Sequence, residues 1–166
     1  MHTTISAMRM TALAVAVSLV AALLLVAPTS AQSAVPFKAV ETGAADESAD
    51  AGLCEEDVIR IDGHATGTGT QLGRFEIDFD ECLSLVTFDF TVDFVITAAN
   101  GDTLEGSYAG ITTGPTSYEA TAHFTGGTGR FANASGTAMI HGTFDEAGYV
   151  QTWNGWISHP GRGPGR

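Results

Sequence analysis

The side chains best suited to metal or acid–base chemistry are five carboxylates on two neighbouring runs. Glu76, Asp78 and Asp80 alternate through Arg74–Asp80, and Asp89 and Asp93 alternate through Val86–Thr97. Side by side they would form a stripe of oxygen ligands of the kind that holds Ca²⁺. The loop spacing of a calcium motif is missing, so the stripe reads as a solvated face. His64, His123 and His141 fall on the predicted wet faces of different strands, and His159 lies near the C-terminus. No His-Glu-x-x-His or similar set exists, and lone outward histidines titrate in solvent. No metal and no cofactor is therefore assigned. A nucleophilic serine is unsupported as well, because Gly106-Ser107-Tyr108 makes no Gly-x-Ser-x-Gly elbow.

Aromatic side chains remain. Tyr108, Tyr118 and Trp153 are candidates for the wall of an apolar pocket, since each adds a polar tip to a large apolar face. Glu105 joins them as a ligand-binding candidate because it adjoins Leu104 near a predicted mouth, although strict alternation points it outward. The same aromatics suit a solid core equally well.

Positioning any of these falls to strands. From Val58 onward the hydropathy pattern has period two and helix signals are almost absent. Ile59 and Ile61 share one face, followed by Phe75, Ile77 and Phe79. In Val86–Thr97 the inward set is Val86, Phe88, Phe90, Val92, Phe94 and Ile96, and later runs add Leu104, Phe124, Ile140 and Phe144. Asn100-Gly101-Asp102, Gly114-Pro115 and Glu146-Ala147-Gly148 mark tight turns between runs. Seven strands follow between Val58 and Ser158, and Val35–Val40 supplies an eighth, with Glu41–Gly52 read as an acidic loop. Short connections favour antiparallel neighbours, and eight such strands can close without a free edge. The fold class expected is all-β, a small eight-stranded antiparallel up-and-down barrel, with a β-sandwich as the alternative.

Gly126-Gly127-Thr128-Gly129-Arg130-Phe131-Ala132-Asn133-Ala134-Ser135-Gly136 is the most distinctive stretch. No Gly-Lys-Ser/Thr follows it and the next element reads as a strand, so it does not cradle phosphate. Gly126, Gly127, Gly129 and Gly136 instead allow a tight crossover, with Phe131 as a plug at one end. Asn133-Ala134-Ser135 is also a formal glycosylation acceptor. This stretch resembles the Gly-Gly-Thr-Gly-x-Phe-x-x-Ala-x-Gly segment of dirigent proteins and its counterpart in allene oxide cyclases. Gly67–Phe75 and Asn100–Leu104 resemble segments of secreted bacterial proteins of that barrel type. The resemblance implies an eight-stranded antiparallel barrel and a cyclase- or coupling-type activity. It carries over no catalytic residue, because the families' acidic and arginine positions lie outside the matching motif.

The flanks and composition complete the reading. Arg9, the apolar run Thr11–Ala27 and the small residues Thr29 and Ala31 read as a signal peptide over residues 1–31. A retained anchor is the rival, since the run is near the lower limit for a span. Residues 32–57 form an N-terminal segment, 58–158 the barrel core and 159–166 a flexible tail. Export makes the chain's two cysteines, Cys54 and Cys82, a disulfide. The 166-residue chain has 44% apolar residues, enough for a core, and a net charge of −12 with Lys38 its lone lysine. That balance excludes nucleic acid and disfavours anionic lipid surfaces. Two functions stand: a secreted barrel that binds a small apolar molecule and steers its cyclisation or coupling, or a non-catalytic extracellular module acting through its surface or by self-association.

Overall fold

Alternating apolar and polar residues leave each run one face to bury, and closing the sheet buries all those faces together. The computed structural model describes residues 34–47, 54 and 58–158. The expected signal peptide, residues 48–52 of the expected acidic loop and the C-terminal tail lie outside the described residues. Eight strands follow in order: β1 (Ala34–Glu47), β2 (Val58–Gly69), β3 (Gly73–Ser84), β4 (Asp89–Ala98), β5 (Thr103–Gly114), β6 (Ser117–Gly127), β7 (Gly136–Asp145) and β8 (Gly148–Ser158). Each pairs antiparallel with its sequence neighbours, and β8 returns to β1 to close the barrel. The expected all-β, eight-stranded up-and-down barrel is therefore the fold, and a two-sheet sandwich is not.

Two boundaries differ from the sequence reading. β1 continues through Glu47, so Glu41–Glu47 is strand and not loop. It is a full wall of the barrel, pairing with β2 on one side and β8 on the other. The run Val86–Thr97 is shorter than its alternation suggests, because β4 begins at Asp89. Ser84 ends β3: its hydroxyl accepts from the Val86 and Thr87 amides, and its carbonyl accepts from the Phe88 amide. Those local bonds compete with the ladder and turn the chain. Val86 and Phe88 consequently lie exposed on the turn, not in the core, and Phe88 takes a φ of 60°.

Glycine makes the interior large enough for its rings. Gly63 lies directly across the ladder from Phe79, Gly67 from Phe75, Gly106 from Phe94, Gly110 from Phe90 and Gly142 from Tyr118. At each of these glycines a Cβ would run into the ring of its partner. Each ring thus lies across the strand beside it, small residue against large, as a narrow barrel requires.

One end is closed. Leu72, Leu104, Phe124, Phe131 and Ile157 are buried there with Phe37. The Gly-rich stretch forms the crossover expected, a single turn of 3₁₀ helix at Gly129–Phe131 with Phe131 fully buried. Gly127 and Gly129 both take positive φ, and a Cβ on either would strike the Thr103 carbonyl or the Asp102 carboxylate. Asp102 also accepts from the Asn100 side chain and the Arg130 amide, tying the β4–β5 turn to the crossover. These bonds, the one from Asn100 foremost, hold its carboxyl below the usual range. Cys54 and Cys82 form the expected disulfide, with Cα atoms 5.7 Å apart. It fixes the β1–β2 connection to β3.

The ring-over-glycine contact is testable at Gly63 and Phe79. Gly63→Ala is expected to lower stability by about 1–3 kcal/mol in urea unfolding, as overpacking does. Phe79→Leu should cost less in the Gly63→Ala background than in the native chain, since the shorter side chain vacates the space the methyl needs. Additive effects would refute the contact. Removing the disulfide as Cys54→Ser/Cys82→Ser should lower the unfolding free energy by roughly 3 kcal/mol, because the bond closes a loop spanning 28 residues.

Candidate functional site

The open end of the lumen holds a cavity of about 290 Å³. Its walls come from β2 to β8: Ile59 and Ile61, then Phe79, Glu81 and Leu83, then Phe90, Tyr108, Thr112 and Tyr118, then Phe144, Asp145, Gly148 and Tyr149. The rings are arranged edge to face. Phe90 meets Tyr118 at 5.6 Å and Tyr108 at 6.3 Å between centroids, both at 87°, and Phe79 meets Tyr149 at 5.9 Å. Edge-to-face packing sets each ring's orientation against its neighbour.

Glu81 is the inward-facing acid of this cavity, and Asp145 is exposed at its rim. Glu81 follows Phe79 by two residues on β3, so the same alternation that buries the phenyl ring turns Glu81 inward. Among the described residues no hydrogen bond or ion pair of its carboxylate is found. Burial alone raises its pKa from the ordinary 4.5 to about 7.

Beneath the cavity lies a second acid. Glu41, at 1% exposure, is directly opposite Gln151 across the β1–β8 ladder. Three donors of β8 converge on it: Tyr149 Oη at 3.1 Å and Gln151 Nε2 at 2.7 Å on Oε1, and Trp153 Nε1 at 3.1 Å on Oε2. Tyr118 Oη donates to Gln151 Oε1 at 2.8 Å and extends the chain to β6. Burial raises the Glu41 pKa to about 7, and the three hydrogen bonds offset part of that rise. Tyr108, Tyr118 and Tyr149 all have their hydroxyl pKa values pushed up, by burial first and then by the Glu41 carboxylate. They remain neutral donors throughout the ordinary pH range.

The residues singled out from sequence divide accordingly. Tyr108 and Tyr118 line the cavity. Trp153 is buried deeper, against Phe94, Tyr108 and Phe124, and its polar tip serves Glu41 instead of the cavity. Glu105 is a correction: it is exposed on the outer wall near Asp93, Ser107 and Thr125, where its strand parity puts it. The carboxylate stripe is also on that wall, with Asp80 opposite Asp93 across the β3–β4 ladder. Asp80 binds Arg60, and Asp78 accepts His64 Nδ1 at 2.8 Å. His141 Nδ1 lies 3.4 Å from Glu119 on a different strand pair. No cluster among the described residues has the geometry of a metal site. Glu41, Glu81, Tyr149 and Gln151 were the residues missed. Parity finds all four, once the alternation of Phe37 and Ala39 is carried to Glu41, that of Phe75, Ile77 and Phe79 to Glu81, and that of Trp153 back to Gln151 and Tyr149.

No protein-family model and no curated protein matches the chain.

The buried acids make stability depend on pH. An unfolded chain loses the Glu41 proton near 4.5 and the native barrel near 7, so between those values the native state alone keeps it. Stability should therefore be highest below pH 4.5 with respect to this group and fall as pH rises to about 7. A shift of this size corresponds to roughly 3 kcal/mol. Urea midpoints measured across that range should decline with rising pH in the native chain. Glu41→Gln, which copies the protonated acid, should flatten the decline; an unchanged slope would show that Glu41 does not titrate there.

Proposed function

We propose that the chain is a secreted barrel that takes one small apolar molecule into its open end and steers a ring closure or coupling there, as allene oxide cyclase- and dirigent-like barrels do. The observation that carries this reading is the cavity itself, apolar-walled, of about 290 Å³, with Glu81 as its inward-facing acid. Binding sites for small molecules combine a mostly apolar wall with a few placed polar groups, and this cavity has that balance. A carboxyl with a pKa near 7 is suited to both giving and taking a proton at neutral pH. Tyr149 supplies a second polar point on the wall, held in place by its bond to Glu41. Ring closure needs a substrate confined in a productive shape more than it needs a nucleophile, and the edge-to-face rings provide a rigid confining wall.

A non-catalytic module is the second reading, supported by the apolar turn between β3 and β4. Leu85, Val86 and Phe88 are all more than half exposed there, beside the same mouth.

The two readings differ in whether the cavity is occupied. N-Phenyl-1-naphthylamine, an uncharged dye that brightens in apolar surroundings, should bind the native barrel with a single site per chain. Ile61→Trp places an indole in the cavity and should weaken dye binding about tenfold or more while leaving the unfolding midpoint nearly unchanged. Equal binding by both proteins would place the dye elsewhere and favour the surface module.

A further inference from the structure

We propose that the ligand of this cavity is an organic ammonium ion: an apolar body carrying one primary amine, with the amine held between Glu81 and the faces of the surrounding aromatic rings. The inference rests on the apolar-ligand reading above and adds the ligand's charge.

Three observations converge on a cation. First, among the described residues the cavity wall has two carboxylates, Glu81 and Asp145, and no Lys, Arg or His. A carboxylate or phosphate ligand would meet repulsion and no counter-charge. Second, the ring-bearing wall residues Phe79, Phe90, Tyr108, Tyr118, Phe144 and Tyr149 surround the space, and the face of a ring attracts a cation. Third, among the described residues Glu81 has no compensating cation on the elements packed against it. On β2 its ladder partner is Ile61, and Arg60 points to the outer face with Asp80. On β4 its partner is Val92. Across the lumen are Tyr108, Tyr118, Tyr149 and Asp145, and below them Glu41, none of which is basic. The chain's net charge of −12 acts in the same direction, raising the local concentration of cations.

A neutral hydroxyl ligand could also bond to Glu81, donating to the carboxylate or accepting from the carboxylic acid, and so it does not require the proton to leave. An ammonium ion satisfies the ionised carboxylate with a charge-assisted hydrogen bond and gains from the rings as well. Proton linkage separates the two. The raised Glu81 pKa means that the empty site is partly protonated at neutral pH. An ammonium ligand displaces that proton, so its affinity should strengthen as pH rises through about 7. An alcohol's affinity should stay level or weaken over the same range.

The test uses two probes of nearly equal shape, 2-phenylethylamine and 2-phenylethanol, titrated calorimetrically into the full chain on both sides of neutrality. At about pH 8 the amine is expected to bind at least about tenfold more tightly than the alcohol, and its affinity should fall on moving to about pH 6. In Glu81→Gln the amine's advantage should disappear while the alcohol binds as before, which also shows that the variant still folds with its cavity intact. If the alcohol binds as well as the amine in the native chain, the ammonium assignment is overturned and the apolar-ligand reading stands. Binding of neither probe overturns both.

Discussion

The lumen of an eight-stranded barrel is too narrow for a large side chain at every inward position, so a ring must lie where its neighbour has no Cβ. Five inward glycines meet that demand here, each directly opposite an aromatic residue. The pairing does more than fill space. A ring laid across a glycine lies along the wall, so its reach into the lumen is limited. At the closed end Phe131 and Phe37 fill the remaining volume. At the other end Phe90 and Tyr118 lie over Gly110 and Gly142, and among the described residues no plug follows them, so a cavity is left between the walls. One packing rule thus produces a solid half and a hollow half.

The seam between β1 and β8 carries the second constraint. Glu41 is fully desolvated, and an acid in that position is tolerable only if its lone pairs are used. Strand geometry supplies the means. Gln151 sits opposite Glu41, and residues two before and two after it, Tyr149 and Trp153, share its inward face. A single strand therefore presents three donors to one carboxylate, over sequence separations of more than 100 residues. The bonds exist only when the barrel is closed, so the polar network and the closure of the sheet are one structural event. Tyr149 belongs to both the network and the cavity wall, which ties the orientation of the wall to the state of the buried acid.

Periodicity made the barrel legible, because inward and outward positions alternate and hairpin turns are marked by Asn, Gly and Pro. The Gly-rich crossover was legible for a similar reason: positive φ demands glycine, and Phe131 is conspicuous among small residues. The pair Cys54 and Cys82 needed no geometry to assign. Charge obscured the rest. Glu41 opens a stretch rich in Ala, Asp and Glu that has the composition of a loop, and the run containing Phe79 reads as ending at Asp80 because an acid follows where an apolar residue was due. In both places a carboxylate on the inward face broke the expected hydropathy, and breaking it was the signal of a site. The reverse error occurred at Val86 and Phe88. They have the parity of core residues, but the hydroxyl of Ser84 ends the strand before they can enter it.

Glu41 is buried and Glu81 half-buried, both with raised pKa values, yet the fold treats them differently. Glu41 is answered by three donors; Glu81 opens onto a cavity with no partner among the described residues. An unanswered carboxyl among aromatic rings works against folding, and a leucine there would continue the apolar pattern of Phe79 and Leu83 without that cost. Local rules of a stable core are commonly broken where a protein does its chemistry. The disulfide adds to the contrast, because Cys82, the residue after Glu81, is the anchor for the acidic β1–β2 connection. A covalent tie thus joins Cys54 to the same strand that turns Glu81 inward. Position and burial meet at that strand end, which is where the proposed ligand would find its acid.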